Sequence, residues 1–344
     1  MTNYNNSLIQ NDLHRIYEEN LNWLEFEGKS VLITGATGLI ASYISYFFLF
    51  LKRKKNINIH LFILCRNQQK AEMLFGDSID TGDILPIFQD VCEPINSSGF
   101  DYIFHLAGNA SPYYILNDPV GIIKANVQGT LNVLELARKS NAKVFFASTR
   151  EVYGEVKGIS RLNETSFGCI DCMKPRSCYP ESKRIAESLL VSYYHQYGIP
   201  IYIARIAHTY GPGMNTINDG RIMSDLIGNA QRGEDIVLKS NGEAKRAFCY
   251  VSDTVAGCLY VVLNGAEGEA YNLSNEKEEI SIRDLAGLIA SQVNTEVKYE
   301  ISESNNAYCN YLRVGLDTTK LEELGWIPKV LLEEGIIRTI KYGY

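Results

Sequence analysis

The chain has 344 residues, a formal net charge of −7 and 21% charged residues, the balance of an ordinary globular protein. The acidic balance, with no basic stripe interleaved with aromatics, excludes a nucleic-acid surface. The apolar run 39–51 is too short to cross a bilayer and the polar start has no signal pattern, so a cytoplasmic protein without a membrane partner is expected.

Residues 1–28 read as an amphipathic leader, with a helix over 13–23 packing on the body. Val31-Leu32-Ile33-Thr34 is an apolar, β-branched strand that runs into Gly35-Ala36-Thr37-Gly38-Leu39-Ile40-Ala41 and a long apolar helix. Gly35 permits a tight turn, Gly38 lets backbone N–H groups approach a pyrophosphate, and Ala41 allows close helix–strand packing. Lys52-Arg53-Lys54-Lys55 suits the end of that helix and reads as a solvated cap. Strand-like and helical stretches then alternate: strand 57–64, helix 68–75, strands 83–88 and 102–106, helix 119–140, strand 143–148, helix 179–197 and strand 200–205. This rhythm predicts an α/β fold, a Rossmann-type doubly wound parallel sheet in which ligands bind beyond the carboxyl ends of the strands.

After Arg205 the rhythm breaks at Gly211-Pro212-Gly213 and Asn218-Asp219-Gly220. A smaller, interleaved lobe is expected, with helices over 282–293 and 331–341. The division is 1–28 leader, 29–205 cofactor domain with a return segment about 248–273, and 206–247 with 274–344 as substrate lobe. Eight cysteines show no disulfide framework. Cys169-x-x-Cys172, with Cys178 nearby, lacks a second half-site, so no metal is expected.

Tyr179 and Lys183 lie four apart, so one helical turn places phenol and ammonium on one face. A free tyrosine is only about 0.1% phenolate at neutral pH, and lowering its pKa to ~7 takes roughly 4 kcal/mol. A partly desolvated lysine beside an oxidised nicotinamide could supply it. Thr149, at the end of strand 143–148, can hold the reacting oxygen against Tyr179, and Glu151 can handle a second proton.

Together with His105-Leu106-Ala107-Gly108, Asn126-Val127-Gln128-Gly129-Thr130 and Arg205-x-x-x-x-Tyr210-Gly211-Pro212, these residues resemble the extended short-chain dehydrogenase/reductases acting on nucleotide sugars. Pro175-Arg176-Ser177-Cys178-Tyr179, Asn218-Asp219-Gly220-Arg221 and Arg246-Ala247-Phe248-Cys249-Tyr250 look most like UDP-glucuronate decarboxylases. The resemblance implies a tightly held NAD or NADP contacted by Gly35, Thr37, Gly38, Leu39, Ile40, Arg66, Asp90, Val91, Leu106, Ala107, Gly108, Asn126, Tyr179, Lys183 and Arg205. It implies catalysis by Thr149, Glu151, Tyr179, Lys183 and Arg313, and a nucleotide-diphosphate sugar held by Arg150, His208, Arg221, Arg246 and Arg313. It also implies a homodimer built by helices 119–140 and 179–197 as a four-helix bundle, with apolar stripes such as Val127, Leu131, Leu134 and Leu189, Leu190, Tyr193.

Three departures point to an altered substrate. Arg150 stands where decarboxylases usually have serine and 4,6-dehydratases an aspartate acid. His208 replaces the usual asparagine, and Val314-Gly315-Leu316 replaces the proline-aspartate pair after the C-terminal arginine. At the second strand, Leu64-Cys65-Arg66-Asn67 lacks the acid that binds a ribose 2′-hydroxyl, which leans to NADP, while the resemblance leans to NAD. The expectation is oxidation at C4 by bound NAD(P), then decarboxylation. A 4-epimerase, an atypical dehydratase and a non-catalytic nucleotide sensor are the alternatives.

Overall fold

The computed structural model describes residues 4–217, 219–301 and 315–343. Its centre is a seven-stranded sheet of β1 (Lys29–Thr34), β2 (Ile59–Cys65), β3 (Ile84–Phe88), β4 (Tyr102–His105), β5 (Lys143–Thr149), β6 (Ile201–Ile206) and β7 (Glu269–Leu273). The order is β3-β2-β1-β4-β5-β6-β7, and every pairing is parallel. The direction of winding reverses between β1 and β4, the crevice where such sheets take ligands.

The strands are apolar on both faces because both are covered. Val31 and Ile33 of β1 join one core with helices α2 (Leu39–Lys55) and α8 (Val251–Asn264). Leu32, Ile103 and Phe146 join the other, with Val133 and Leu134 of α5 (Pro119–Ser140) and Ala186 and Leu190 of α6 (Cys178–Tyr197). From Ala41 to Leu51 every residue of α2 is buried, because α1 (Ser7–Tyr17) and α8 close over its outer side.

Several expectations need correcting. The leader helix starts before residue 13, since the Asn6 side chain accepts from Leu8 N–H and caps it, and it ends at Tyr17. Trp23 lies instead in a short 3-10 turn, its indole N–H donating to the Tyr17 carbonyl at 3.0 Å. The basic end of α2 is not simply solvated, for Lys52 and Arg53 clamp Asp83 at 3.1 and 2.8 Å. Leu134 and Leu190 belong to the internal core, while Val120, Ile123, Ile185, Val191 and Tyr197 form the exposed apolar positions of α5 and α6.

The remaining helices are α3 (Gln68–Asp80), α4 (Pro112–Asn117), α7 (Ile222–Gln231), α9 (Ile282–Val293), α10 (Thr319–Glu322) and α11 (Leu332–Lys341). Of these, α7, α9 and α11 pack on one another and, with two-residue and three-residue strand pairs, form a cap over the carboxyl edge of the sheet. Helix α3 lies along β3, and α10 against β7 and α8. A buried charge ties the leader to this cap. Asp12 is fully buried and accepts from Arg338 at 2.6 Å, Tyr250 at 3.0 Å and Tyr43 at 3.1 Å. Burial pushes the Asp12 carboxyl up, and the Arg338 charge opposes it. Asp12→Ala would strand a mostly buried guanidinium, so urea unfolding should show a loss of roughly 3–5 kcal/mol. A loss below about 1 kcal/mol, the scale of an exposed pair, would contradict this.

Candidate active site

A cleft of about 2760 Å3 opens along the carboxyl ends of the strands and continues under α7. A single drug-sized ligand needs about 300–1,000 Å3, so this one has room for two. Among its lining residues are Gly35, Thr37, Gly38, Leu39, Ile40, Arg66, Asp90, Val91, Leu106, Ala107 and Gly108 at one end. At the other are Thr149, Arg150, Glu151, Arg176, Tyr179, Lys183, His208, Arg221 and Arg246.

The first end is built for close backbone approach. Gly35 has φ +67°, and a Cβ there would lie 2.7 Å from the Ala107 Cα and 2.8 Å from its nitrogen. Only glycine permits β1 to turn against the loop after β4. Gly38 begins α2 with no side-chain cap, so the first N–H groups of that helix are left for a ligand. Between the two strands, His105 bridges Thr34 at 2.8 Å and Thr130 at 3.2 Å. Burial, and then the Lys183 charge, push its imidazole down to about 3, so it stays neutral. The glycine cradle, the uncapped helix and the winding switch together fit a dinucleotide.

At the adenosine end, Arg66 and Asp90 face each other at 3.3 Å, with the Arg66 side chain 76% exposed. Burial raises the Asp90 carboxyl, but the Cys92 N–H and Arg66 outweigh it and hold the group below its usual range. Asn126, fully buried, lies instead beneath Gly108 toward Ser182 and Lys183. Its amide donates to Ser182 at 2.9 Å, and its Oδ1, which has no hydrogen-bond partner, would lie 2.7 Å from a Cβ on Gly108. Arg205 does not reach the cleft. Its guanidinium is spent on Glu187 at 2.7 and 3.1 Å, the Tyr153 hydroxyl and the Glu164 carbonyl.

The reactive end gathers Thr149, Glu151, Tyr179 and Lys183 from β5, the turn after it and α6. Thr149 caps that turn by accepting from Glu151 N–H at 3.2 Å. Tyr179 and Lys183 are one helical turn apart and both buried. Burial, followed by the Glu151 charge, holds the Tyr179 phenol well above its ordinary value of 10.0. The Thr149 hydrogen bond and the charges of Arg221 and Arg176 only oppose this in part. Lys183 donates to the Ala147 carbonyl at 2.8 Å and sits 4.4 Å over the Phe146 ring. Burial brings it down to about 7, with Glu187 acting against the fall. The protein alone therefore holds the phenol protonated; the expected activation needs the oxidised nicotinamide beside Lys183.

Arg176, singled out in the sequence only as part of a family pattern, grips Glu151 through two bonds of 2.8 and 3.1 Å. Arg221 is held by Asp219, itself buried and bonded by Ser224 at 2.9 Å. His208 takes φ +43°, a left-handed conformation that its shorter predecessor asparagine also tolerates, and its ring lies 5.7 Å from Phe248. Arg246 donates to the Lys245 carbonyl at 2.7 Å. Arg313 and Asn218 lie outside the described residues. Among the described residues no metal-binding cluster occurs, and Cys169, Cys172 and Cys178 are free thiols.

Burial of Lys183 has a measurable sign. Unfolded, this lysine keeps its proton to its ordinary value of 10.5, and folded only to about 7. Between those values the unfolded state binds more protons, so the group's contribution to stability rises with pH. Lys183→Met should therefore stabilise the protein most below pH 7, with the advantage shrinking as pH rises. A difference independent of pH in urea titrations would contradict it.

The chain matches the model of the "NAD dependent epimerase/dehydratase family" over residues 31–274. It is 36% identical over 318 residues to UDP-glucuronic acid decarboxylase 6 of Arabidopsis thaliana, covering 89% of this chain and 86% of that one. It is 35% identical over 319 residues to UDP-glucuronic acid decarboxylase 1 of Xenopus tropicalis, with 92% and 73% covered. Among solved structures it resembles the Streptomyces venezuelae dTDP-glucose 4,6-dehydratase with NAD bound, with TM-score 0.77, 23% identity, and 91% of this chain and 96% of that one covered. No helix among the described residues is long and apolar enough to cross a membrane. With the glycine cradle, the Tyr179–Lys183 pair and most of its length matched, the chain belongs to the NAD dependent epimerase/dehydratase family.

Proposed function

We propose that this protein removes the C6 carboxylate of a UDP-linked uronic acid, as a UDP-glucuronate decarboxylase. The observation that carries this reading is Glu151, a carboxylate placed at the same end of the cleft as Tyr179 and Thr149. A 4-epimerase has no proton step at C5 for such a group. Arg150, where a dehydratase acid is expected, counts against dehydration. The decarboxylase relatives support the same substrate.

Lengthwise, residues 29–205 with 248–273 would hold the dinucleotide, and 206–247 with 274–344 the nucleotide sugar. Gly35, Gly38, Leu39, Ile40, Ala107 and Gly108 would hold the dinucleotide, together with Lys183. When bound, an oxidised dinucleotide would supply positive charge and the acceptor for the hydrogen of C4. We favour NAD, because Asp90 already neutralises Arg66 and would repel a 2′-phosphate.

Thr149 orients the C4 oxygen and Tyr179 takes its proton. The resulting 4-keto sugar is a β-keto acid, whose C5–C6 bond cleaves readily as CO2 leaves. Glu151 handles the proton at C5, and Tyr179 returns its proton to the C4 oxygen. Arg221 and Arg246 suit the pyrophosphate, while Arg150 and His208 suit the sugar. By resemblance, Arg313 would share with Glu151 the reprotonation at C5. A homodimer through α5 and α6 would cover Val120, Ile123, Ile185 and Val191. Free thiols throughout the described cysteines suit a reducing cytoplasm.

Three outcomes test this reading. Incubation with UDP-, dTDP-, GDP- and CDP-sugars should give, by mass spectrometry, a UDP-pentose and CO2 from UDP-glucuronate. Conversion of UDP-glucose to its C4 epimer at a comparable rate would overturn it. Tyr179→Phe should keep fold and NAD affinity while removing most turnover, and activity within a few-fold of wild type would contradict the assignment. Glu151→Gln should stop product formation and accumulate the 4-keto sugar. In light scattering at micromolar concentration, a monomer mass would count against the dimer.

A further inference from the structure

We propose that Arg176 changes partners during the reaction, holding Glu151 in the free protein and turning to the substrate's carboxylate when an acid sugar enters. This rests on the decarboxylase reading above, and it identifies which described cation recognises the acid.

Two arginine–glutamate pairs stand at the carboxyl end of β5, and they differ in kind. Arg205–Glu187 is 15% and 12% exposed and bound further to Tyr153 and Glu164, so it is a fixed brace. Arg176–Glu151 is 29% and 31% exposed, and both members line the cleft. Each lies on a 3-10 turn, Arg176 just before α6 and Glu151 just after β5. The pair is bidentate, at 2.8 and 3.1 Å. A carboxylate with both oxygens engaged by a guanidinium has neither oxygen turned to a substrate carbon. Glu151 cannot serve C5 while so held.

An acid sugar changes the balance of charge. With its C4 hydroxyl at Tyr179, its C6 carboxylate lies only two bonds beyond C4, at the end where Glu151 sits. Arg176 and Glu151 are neutral as a pair, so the substrate's carboxylate enters as a second anion beside the same guanidinium. Like charges at short range cannot both stay ionised without cost. Arg176, planar and forked, matches either carboxylate. When it takes the substrate's, Glu151 is released and picks up one proton from solvent. After oxidation at C4 the C5–C6 bond breaks, its electron pair enters the enolate across C5 and C4, and CO2 departs. Glu151 gives its proton to C5, becomes a carboxylate again and recovers Arg176. One solvent proton is consumed for each CO2 released. Departure of CO2 thus resets the pair.

The test compares UDP-glucuronate with UDP-glucose, which carries a hydroxymethyl in place of the carboxylate. Dissociation constants are measured by calorimetry for wild type, Arg176→Met, Arg176→Lys and Glu151→Gln, each checked for its melting temperature. Wild type should favour the acid sugar, and Arg176→Met should lose about tenfold or more for it while UDP-glucose stays within about twofold. Arg176→Lys should recover part of the preference. Glu151→Gln, which removes the carboxylate that competes for Arg176, should bind the acid sugar at least as tightly as wild type. A merely structural pair would instead weaken both sugars and make the two substitutions agree in sign. That result, an unchanged ratio in Arg176→Met, or a wild type that prefers neither sugar would overturn the exchange. If wild type releases no CO2, the proposed function falls while these ratios still decide the exchange.

Discussion

Loss of water acts in opposite senses on Tyr179 and Lys183, and the site's chemistry depends on that opposition. It holds the phenol above its ordinary value and brings the ammonium to about 7. Neither group stands in its most useful charge state in the protein alone. Lys183 donates to the Ala147 carbonyl rather than to an acid, and the Glu187 charge only partly offsets the effect of burial. A buried pair of this kind responds strongly to any charge brought above it, because the surrounding medium screens little. Ligands therefore complete the electrostatics of the site.

The fold explains why such a floor can exist. Both faces of the sheet are sealed, by α2 and α8 on one side and α5 and α6 on the other. The winding switch between β1 and β4 leaves a crevice at which Gly35 meets the Ala107 backbone. His105, kept neutral between Thr34 and Thr130, joins the two strands beneath it without adding charge. Three arginine–carboxylate pairs stand along the cleft: Arg66 with Asp90, Arg176 with Glu151, and Arg221 with Asp219. Each of these three arginines has a carboxylate partner inside the protein, so an anionic ligand competes with that partner.

Much of this was legible in the sequence where the signal is local. The β1 strand, the glycine turn and the alternating helices follow from short-range pattern, and α5 occupies the predicted span Pro119–Ser140. The leader helix was displaced because a single Asn6 cap outweighed the apolar spacing farther along. The faces of α5 and α6 were misread at Leu134 and Leu190, since periodicity cannot say which apolar stripe meets the chain's own core. Arg205 looked like a ligand contact because nothing in the sequence announces Glu187 as its partner. The pairing of Arg176 with Glu151 spans loops distant in sequence, and only the fold reveals it. Spacing placed Tyr179 and Lys183 together, but their charge states depend on burial, which spacing does not report.

The measurement closest to the central claim is a titration of Tyr179 by ultraviolet difference between wild type and Tyr179→Phe, with and without oxidised dinucleotide. The account predicts that without it this phenol stays protonated beyond its ordinary value of 10.0. With the cationic ring bound, its titration should move below that value. A phenol that ionises below 10.0 in the ligand-free protein, or one that the dinucleotide leaves unmoved, would contradict the account.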